Sequence, residues 1–174
     1  MPKTILLTSF DVWEPHQISN SSDDLLGMAI DQNWLPPNVY FLRRLPVDEH
    51  LAPARVIAAI AAGQPDIIIC CGMAEDRTEL TLEAQGKRDG EILTTGIELS
   101  ALITATIATH ISYDAGNFVC NQLYYAVLQY IYQEQRSRHC LFVHVPRLHD
   151  QNLVSVGQDF AAIVGTLARS QMSA

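Results

Sequence analysis

Short runs of branched apolar residues alternate along this chain with longer stretches in which apolar positions return every three or four residues. The short runs, Ile5 to Phe10, Tyr40 to Leu45, Ile67 to Cys71 and Cys140 to Val145, predict strands. The longer ones, Asp23 to Asn33, Asp48 to Ala62, Glu98 to His110, Asn117 to Gln135 and Ser155 to Ala168, predict helices. Asp48 is placed to cap the second helix and Gly63 to end it, and Gln64-Pro65-Asp66 opens the next strand. Strands alternating with helices imply a mostly parallel central sheet covered on both faces, a three-layer α/β/α fold. No repeat, low-complexity tract or Pro/Gly/Ser linker divides the chain, so residues 1–174 are expected to form a single domain.

Composition narrows the class. Of the 174 residues, 48% are hydrophobic and 17% charged, which fits a chain that buries its own core. Eleven Lys plus Arg stand against nineteen Asp plus Glu, a net charge of −8, and basic residues cluster only in pairs such as Arg43-Arg44 and Lys87-Arg88. Nucleic acid is therefore not an expected partner. The N-terminal apolar run is too short for a signal peptide and no later run could span a bilayer, so no membrane contact and a cytoplasmic location are expected. The four cysteines, Cys70, Cys71, Cys120 and Cys140, form no CxxC pair and no zinc-type spacing with histidine. Neither a structural metal nor a disulfide framework is expected, and Cys70 and Cys71, at the end of an apolar run, read as core.

Chemistry is sought beyond the carboxyl ends of the strands, where open α/β sheets bind ligands. Ala115-Gly116-Asn117-Phe118-Val119-Cys120-Asn121 brings a cysteine through a small-residue turn to the start of a long helix. There, free N–H groups and the helix dipole favour thiolate, the attacking form; the competing reading is an inert buried cysteine. His144 ends the apolar run Leu141-Phe142-Val143 just before Val145-Pro146, where a buried imidazole needs a partner and either a catalytic or a satisfied core histidine would fit. In the alternating run Glu79-Leu80-Thr81-Leu82-Glu83, Thr81 and Glu83 share one side of a strand, so Glu83 either orients an imidazole or belongs to a solvated face.

Three blocks carry a resemblance: Gly72-Met73-Ala74 with Arg77 and Leu80-Thr81-Leu82-Glu83; Ser112 to Asn121; and Phe142-Val143-His144-Val145-Pro146. On these the chain resembles pyroglutamyl peptidase I, the C15 cysteine peptidases that remove N-terminal pyroglutamate. The resemblance implies a hydrolase-like α/β/α fold of the phosphorylase/hydrolase type, Cys120 as nucleophile, His144 as general base and acid, and Glu83 as the group orienting it. It further implies Met73 and Phe118 as substrate-binding residues, a small peptide or amide as substrate, no cofactor, and a chain that can form a homo-oligomer. Phe10 and Trp13, where the family has a Phe-rich turn enclosing the lactam ring, read either as substrate-binding apolar walls or as core and edge packing.

The chain also departs from that family. Cys120 follows Glu83 by only 37 positions. The segment Glu91 to Ser100 stands where the family has a longer loop that walls the pocket and carries an arginine, for which Lys87 or Arg88 is the nearest substitute. Asp11, Glu14, Glu75 and Asp76 are expected to make the site's mouth acidic. Two functions follow: a C15-type cysteine hydrolase with a remodelled pocket, or a family-derived binding protein that has lost peptidase activity.

Overall fold

The computed structural model describes residues 3–134 and 137–170. Its main sheet contains β1 (Ile5–Phe10), β2 (Val39–Leu45), β3 (Ile67–Met73), β4 (Thr81–Glu83), β7 (His110–Ser112) and β8 (His139–Val145). A hairpin of β5 (Gln85–Arg88) and β6 (Glu91–Thr94) stands apart. The helices are α1 (Ser21–Asp31), α2 (Leu51–Gly63), α3 (Leu99–Ile103), α4 (Val119–Gln133) and α5 (Leu153–Arg169).

Strand order is β2-β1-β3-β8-β4-β7, and every pairing is parallel except β4 with β8. Continuous apolar runs form the central strands because both of their faces are covered. Ile5, Leu7, Ile67, Ile69, Cys71, Leu141, Val143 and Val145 pack with α1 and α5. The intervening Leu6, Ile68, Cys70, Cys140 and Phe142 pack with α2 and α4 on the other face. This alternation produces the three α/β/α layers, and Cys70 and Cys71 are buried in opposite ones. The chain leaves β1 for β2 on one side and returns to β3 on the other. The carboxyl ends of β1 and β3 therefore flank a topological switch point, the place where such sheets bind ligands.

Local chemistry sets the helix ends. Asn20 caps α1, its side chain accepting from the Ser22 N–H at 3.1 Å. The Asp48 carboxylate accepts from the N–H groups of His50 and Leu51 at 2.9 and 2.7 Å, and α2 ends at Gly63 with Gln64 left-handed at φ 49°. The expected helix from Glu98 to His110 is corrected: α3 stops at Ile103, and the chain turns to enter β7 at His110. The cause lies in α5, where buried Asp159 accepts from the N–H groups of Ile107 and Ala108 at 2.6 and 3.0 Å and from the Thr109 hydroxyl at 2.7 Å. Once taken by a carboxylate, those amides cannot continue a helix. Gln135, expected in the fourth helix, lies outside the described residues.

A second buried carboxylate fastens α1 to β1 and β2. Asp23 accepts from the Ser9 hydroxyl at 2.7 Å, from Arg43 Nε at 2.8 Å and from Arg44 Nε at 2.9 Å. Burial alone would raise its pKa, but the hydrogen bonds from Arg43, Ser9 and Arg44 outweigh it and hold the carboxyl below its ordinary range. A lowered folded-state value means the stabilisation is complete above the unfolded pKa, near about 4, and is lost as pH falls through the folded value. Asp23→Asn is expected to cost about 2–3 kcal/mol at pH 7 and less under acid, as read by urea unfolding at the two pH values.

Candidate active site

Sheet register brings three chemistry-bearing residues to one face. His144 has the same parity along β8 as Cys140 and Phe142, so it points to the α4 layer. Thr81 pairs with His144 and Glu83 with Phe142 across the antiparallel β4–β8 ladder, which puts Glu83 diagonally beside the imidazole on that face. His144 Nδ1 lies 2.7 Å from Glu83 Oε1, with both side chains buried. The ionised carboxylate accepts a hydrogen bond from Nδ1–H, leaving Nε2 as the acceptor nitrogen. The Tyr124 hydroxyl, projecting from α4, donates to the Glu83 carbonyl at 2.8 Å and fixes that strand from below.

The Cys120 thiol lies over Gly72, which has no side chain to exclude it. Gly72 pairs with His144 across β3 and β8, and a Cβ added to it would lie 2.6 Å from Cys120 Sγ and 2.8 Å from the Phe142 ring. Cys120 is the second residue of α4, whose N-cap Phe118 makes no side-chain capping bond, so no N-cap side chain takes up the first-turn amides. The turn before it contains Gly116 at φ 82°, whose N–H donates to Asp114 Oδ1 at 3.0 Å. The expectation of a lowered thiol pKa is reversed. Burial, with the Glu83 charge and Cys70 nearby, pushes Cys120 up to about 12 and outweighs its own N–H and Arg77. Glu83 moves the other way: burial would raise it, but the hydrogen bond from His144, the nearby Ser112 hydroxyl and the charges of His144 and Arg77 hold it below the ordinary range.

These residues meet at a cavity of about 670 Å³ at the switch point, with Cys120 and His144 in its wall. Phe10, Trp13, Met73 and Phe118 all line it; Phe10 is buried, and the exposed Trp13 and Phe118 rings stand 6.4 Å apart, tilted by 43°. Of the expected acidic rim, Glu14, Glu75 and Asp76 line the cavity and Asp11 does not. Glu75 is already engaged, by Gln17 at 2.8 Å and His16 at 3.2 Å. Among the described residues no group of His, Cys, Asp and Glu is placed to hold a metal ion, and no helix is long and apolar enough to cross a membrane.

Neither Lys87 nor Arg88 supplies a cation to the triad. Lys87 pairs with Asp114 at 2.8 Å, while Arg88 lies 4.4 Å over the Tyr125 ring and bonds Gln129. Their hairpin is fastened to α4 instead, with Asn121 exchanging two hydrogen bonds with the Lys87 backbone at 2.8 and 2.7 Å. The guanidinium at the carboxylate is Arg77, which the sequence offers as part of the first resemblance block but not as a partner of Glu83.

A thiol, an imidazole and a buried carboxylate gathered at the switch point of an α/β/α sheet are the equipment of a cysteine hydrolase. The family model for pyroglutamyl peptidase, peptidase C15, matches residues 97–165, which include Cys120 and His144. The pyrrolidone-carboxylate peptidase of Vibrio campbellii is 27% identical over 176 residues, covering 86% of this chain and 81% of that protein. That of Bacillus velezensis is 28% identical over 188 residues, covering 88% and 82%. Among solved structures, pyroglutamyl peptidase I from Bacillus amyloliquefaciens superposes with a TM-score of 0.85 at 22% identity, covering 99% of this chain and 100% of that one. Pyrrolidone carboxyl peptidase from Thermococcus litoralis gives 0.75 at 18%, covering 99% of each chain. The chain is thus similar to pyroglutamyl peptidases in sequence, through residues 97–165 and at 27–28% identity over most of its length, and shares their fold.

Proposed function

We propose that this protein removes N-terminal pyroglutamate from small peptides or amides, with Cys120 as nucleophile, His144 as general base and acid, and Glu83 as the orienting carboxylate. The observation carrying this reading is the 2.7 Å His144–Glu83 contact beside a cysteine seated over Gly72. The names of the relatives at 27 and 28% identity support the substrate class.

Burial pushes the Cys120 thiol up to about 12, which favours attack and deprotonation in one step. His144 Nε2 takes the thiol proton as sulfur bonds to the pyroglutamyl carbonyl carbon, and the imidazolium is held by Glu83. First-turn amides of α4 face the developing oxyanion, where one such donor is worth about 3 kcal/mol. The imidazolium then protonates the departing amine, the carbon–nitrogen bond breaks, and a thioester remains. Water, deprotonated by His144, attacks the thioester, releasing pyroglutamate and restoring the thiol. Phe10, Trp13, Met73 and Phe118 supply the apolar enclosure for the lactam ring.

The reading is tested by product analysis of a pyroglutamyl peptide and its glutaminyl counterpart under reducing conditions. Free pyroglutamate and a shortened peptide are expected from the first alone. Both peptides surviving intact with folded protein would favour a binding role instead. Gly72→Ala provides a geometric check: its Cβ has to displace Cys120 Sγ or the Phe142 ring. It is expected to lower kcat/KM on the order of 10²-fold and to cost about 1–3 kcal/mol in urea unfolding.

A further inference from the structure

We propose that Arg77 is a positioning residue of this site: it holds Glu83 as the ionised partner of His144 and ties that carboxylate to the turn that delivers Cys120. The proposal rests on the roles just assigned to these three residues.

Arg77 sits in the β3–β4 connection, which is pinned to the end of β8 by the Ala74 N–H donating to the Val145 carbonyl at 2.9 Å and closed by the Arg77 N–H donating to the Ala74 carbonyl at 3.1 Å. Its Nη1 reaches Glu83 Oε1 at 2.5 Å and contacts the Thr81 hydroxyl, while Nη2 donates to the Asp114 carbonyl at 3.0 Å. Glu83 Oε1 also takes the His144 contact, whereas Oε2 is buried with no hydrogen-bond partner among the described residues. Arginine and histidine therefore share one carboxylate oxygen. Asp114 in turn holds the Gly116 N–H of the turn leading into α4, so one guanidinium spans the acid and the nucleophile's approach.

The charge consequence follows from burial. A fully buried carboxylate with no fixed counter-ion either takes up a proton or draws one onto the neighbouring imidazole, and both outcomes spoil a neutral base beside an anion. A guanidinium stays charged at any working pH, so Glu83 remains anionic without making His144 its sole cation. The charged and titratable groups against His144 are Glu83 from β4, Cys120 from α4 and Arg77 from the connection. Across the cavity stand Glu14 and His16 from the β1–α1 segment, Glu75 and Asp76 from the connection itself, and Asp114. Of all these, only Arg77 is a permanent cation and touches the shared oxygen.

The test compares wild type with Arg77→Met and Arg77→Lys in the pH dependence of pyroglutamyl amide hydrolysis, alongside NMR titration of the His144 imidazole, which needs no turnover. Arg77→Met is expected to lower kcat on the order of 10²-fold with KM changed far less. It should also move the acid limb of kcat/KM, and the imidazole titration with it, upward by about one pH unit. Arg77→Lys keeps the charge and is expected to restore the limb, but to recover kcat only in part, because one ammonium cannot span Glu83 and Asp114. If Arg77→Met does not fold, the lysine variant and its titration decide. A limb and imidazole titration that stay at the wild-type position in the methionine variant, or that move in the lysine variant, would overturn the proposal. Failure of the substrate reading would instead show as a wild type that cuts no pyroglutamyl amide, with the titration still readable.

Discussion

Cys120→Ala is expected to lower hydrolysis of a pyroglutamyl amide by about 10⁴-fold or more while leaving the fold in place. No other thiol can stand in, because Cys70, Cys71 and Cys140 are all fully buried in the sheet, and burial also pushes Cys71 and Cys140 well above the ordinary thiol range. Loss of one half-buried sulfur should shift urea unfolding by no more than about 1 kcal/mol, so the activity loss is separable from misfolding. The raised thiol adds a second readout. Alkylation of Cys120 should be slow at neutral pH and climb steadily on the alkaline side, because burial pushes its thiol up. Rapid labelling that is flat across neutral pH would show that the helix terminus outweighs burial.

Glu83→Gln carries the next largest effect, an expected fall in kcat of about 10³- to 10⁴-fold with little change in KM. Glutamine keeps the volume but offers His144 a neutral amide. The imidazole then loses the charge that steadies its protonated form, and its tautomer is no longer fixed with Nε2 as the acceptor nitrogen. Stability should follow a defined pH course. The Glu83 carboxyl is lowered in the folded state, so its contribution is complete above the ordinary carboxylate range and lost as pH falls through the folded value. Wild type should therefore exceed Glu83→Gln in urea midpoint at pH 7, with the gap narrowing under acid. A constant gap would mean that the charge of Glu83 contributes nothing to folding.

How much of this was legible depends on where the determining partner sits. The continuous apolar runs of β1, β3 and β8 announced themselves because both faces are buried, and Ile5–Phe10 has the observed limits. The helix expected from Glu98 failed because its apolar spacing says nothing about Asp159, roughly fifty residues later, which takes the amides of Ile107 and Ala108. The β5–β6 hairpin did carry a local signal, the Asp89-Gly90 pair, whose φ values of 52° and 83° suit a two-residue turn. At the site, Cys120 stood out at a helix start, His144 at a strand end and Glu83 in an alternating run, each beside a competing reading, and the structure brings His144 and Glu83 into contact. Arg77 was not readable as a partner of Glu83, because its role arises only when the connection folds back across β4 and reaches Asp114. The thiol's raised pKa was equally hidden, since a helix start is visible in sequence and the burial that opposes it is not.

The most direct test is to mix the enzyme with an activated pyroglutamyl substrate, quench with acid, and map the peptides by mass spectrometry. A pyroglutamyl thioester on the peptide containing Cys120, absent from Cys120→Ala and absent with a prolyl analogue, is the expected result. Turnover of the substrate with no adduct on that peptide, or an adduct on another residue, would contradict the assignment of Cys120 as the nucleophile of a pyroglutamyl hydrolase.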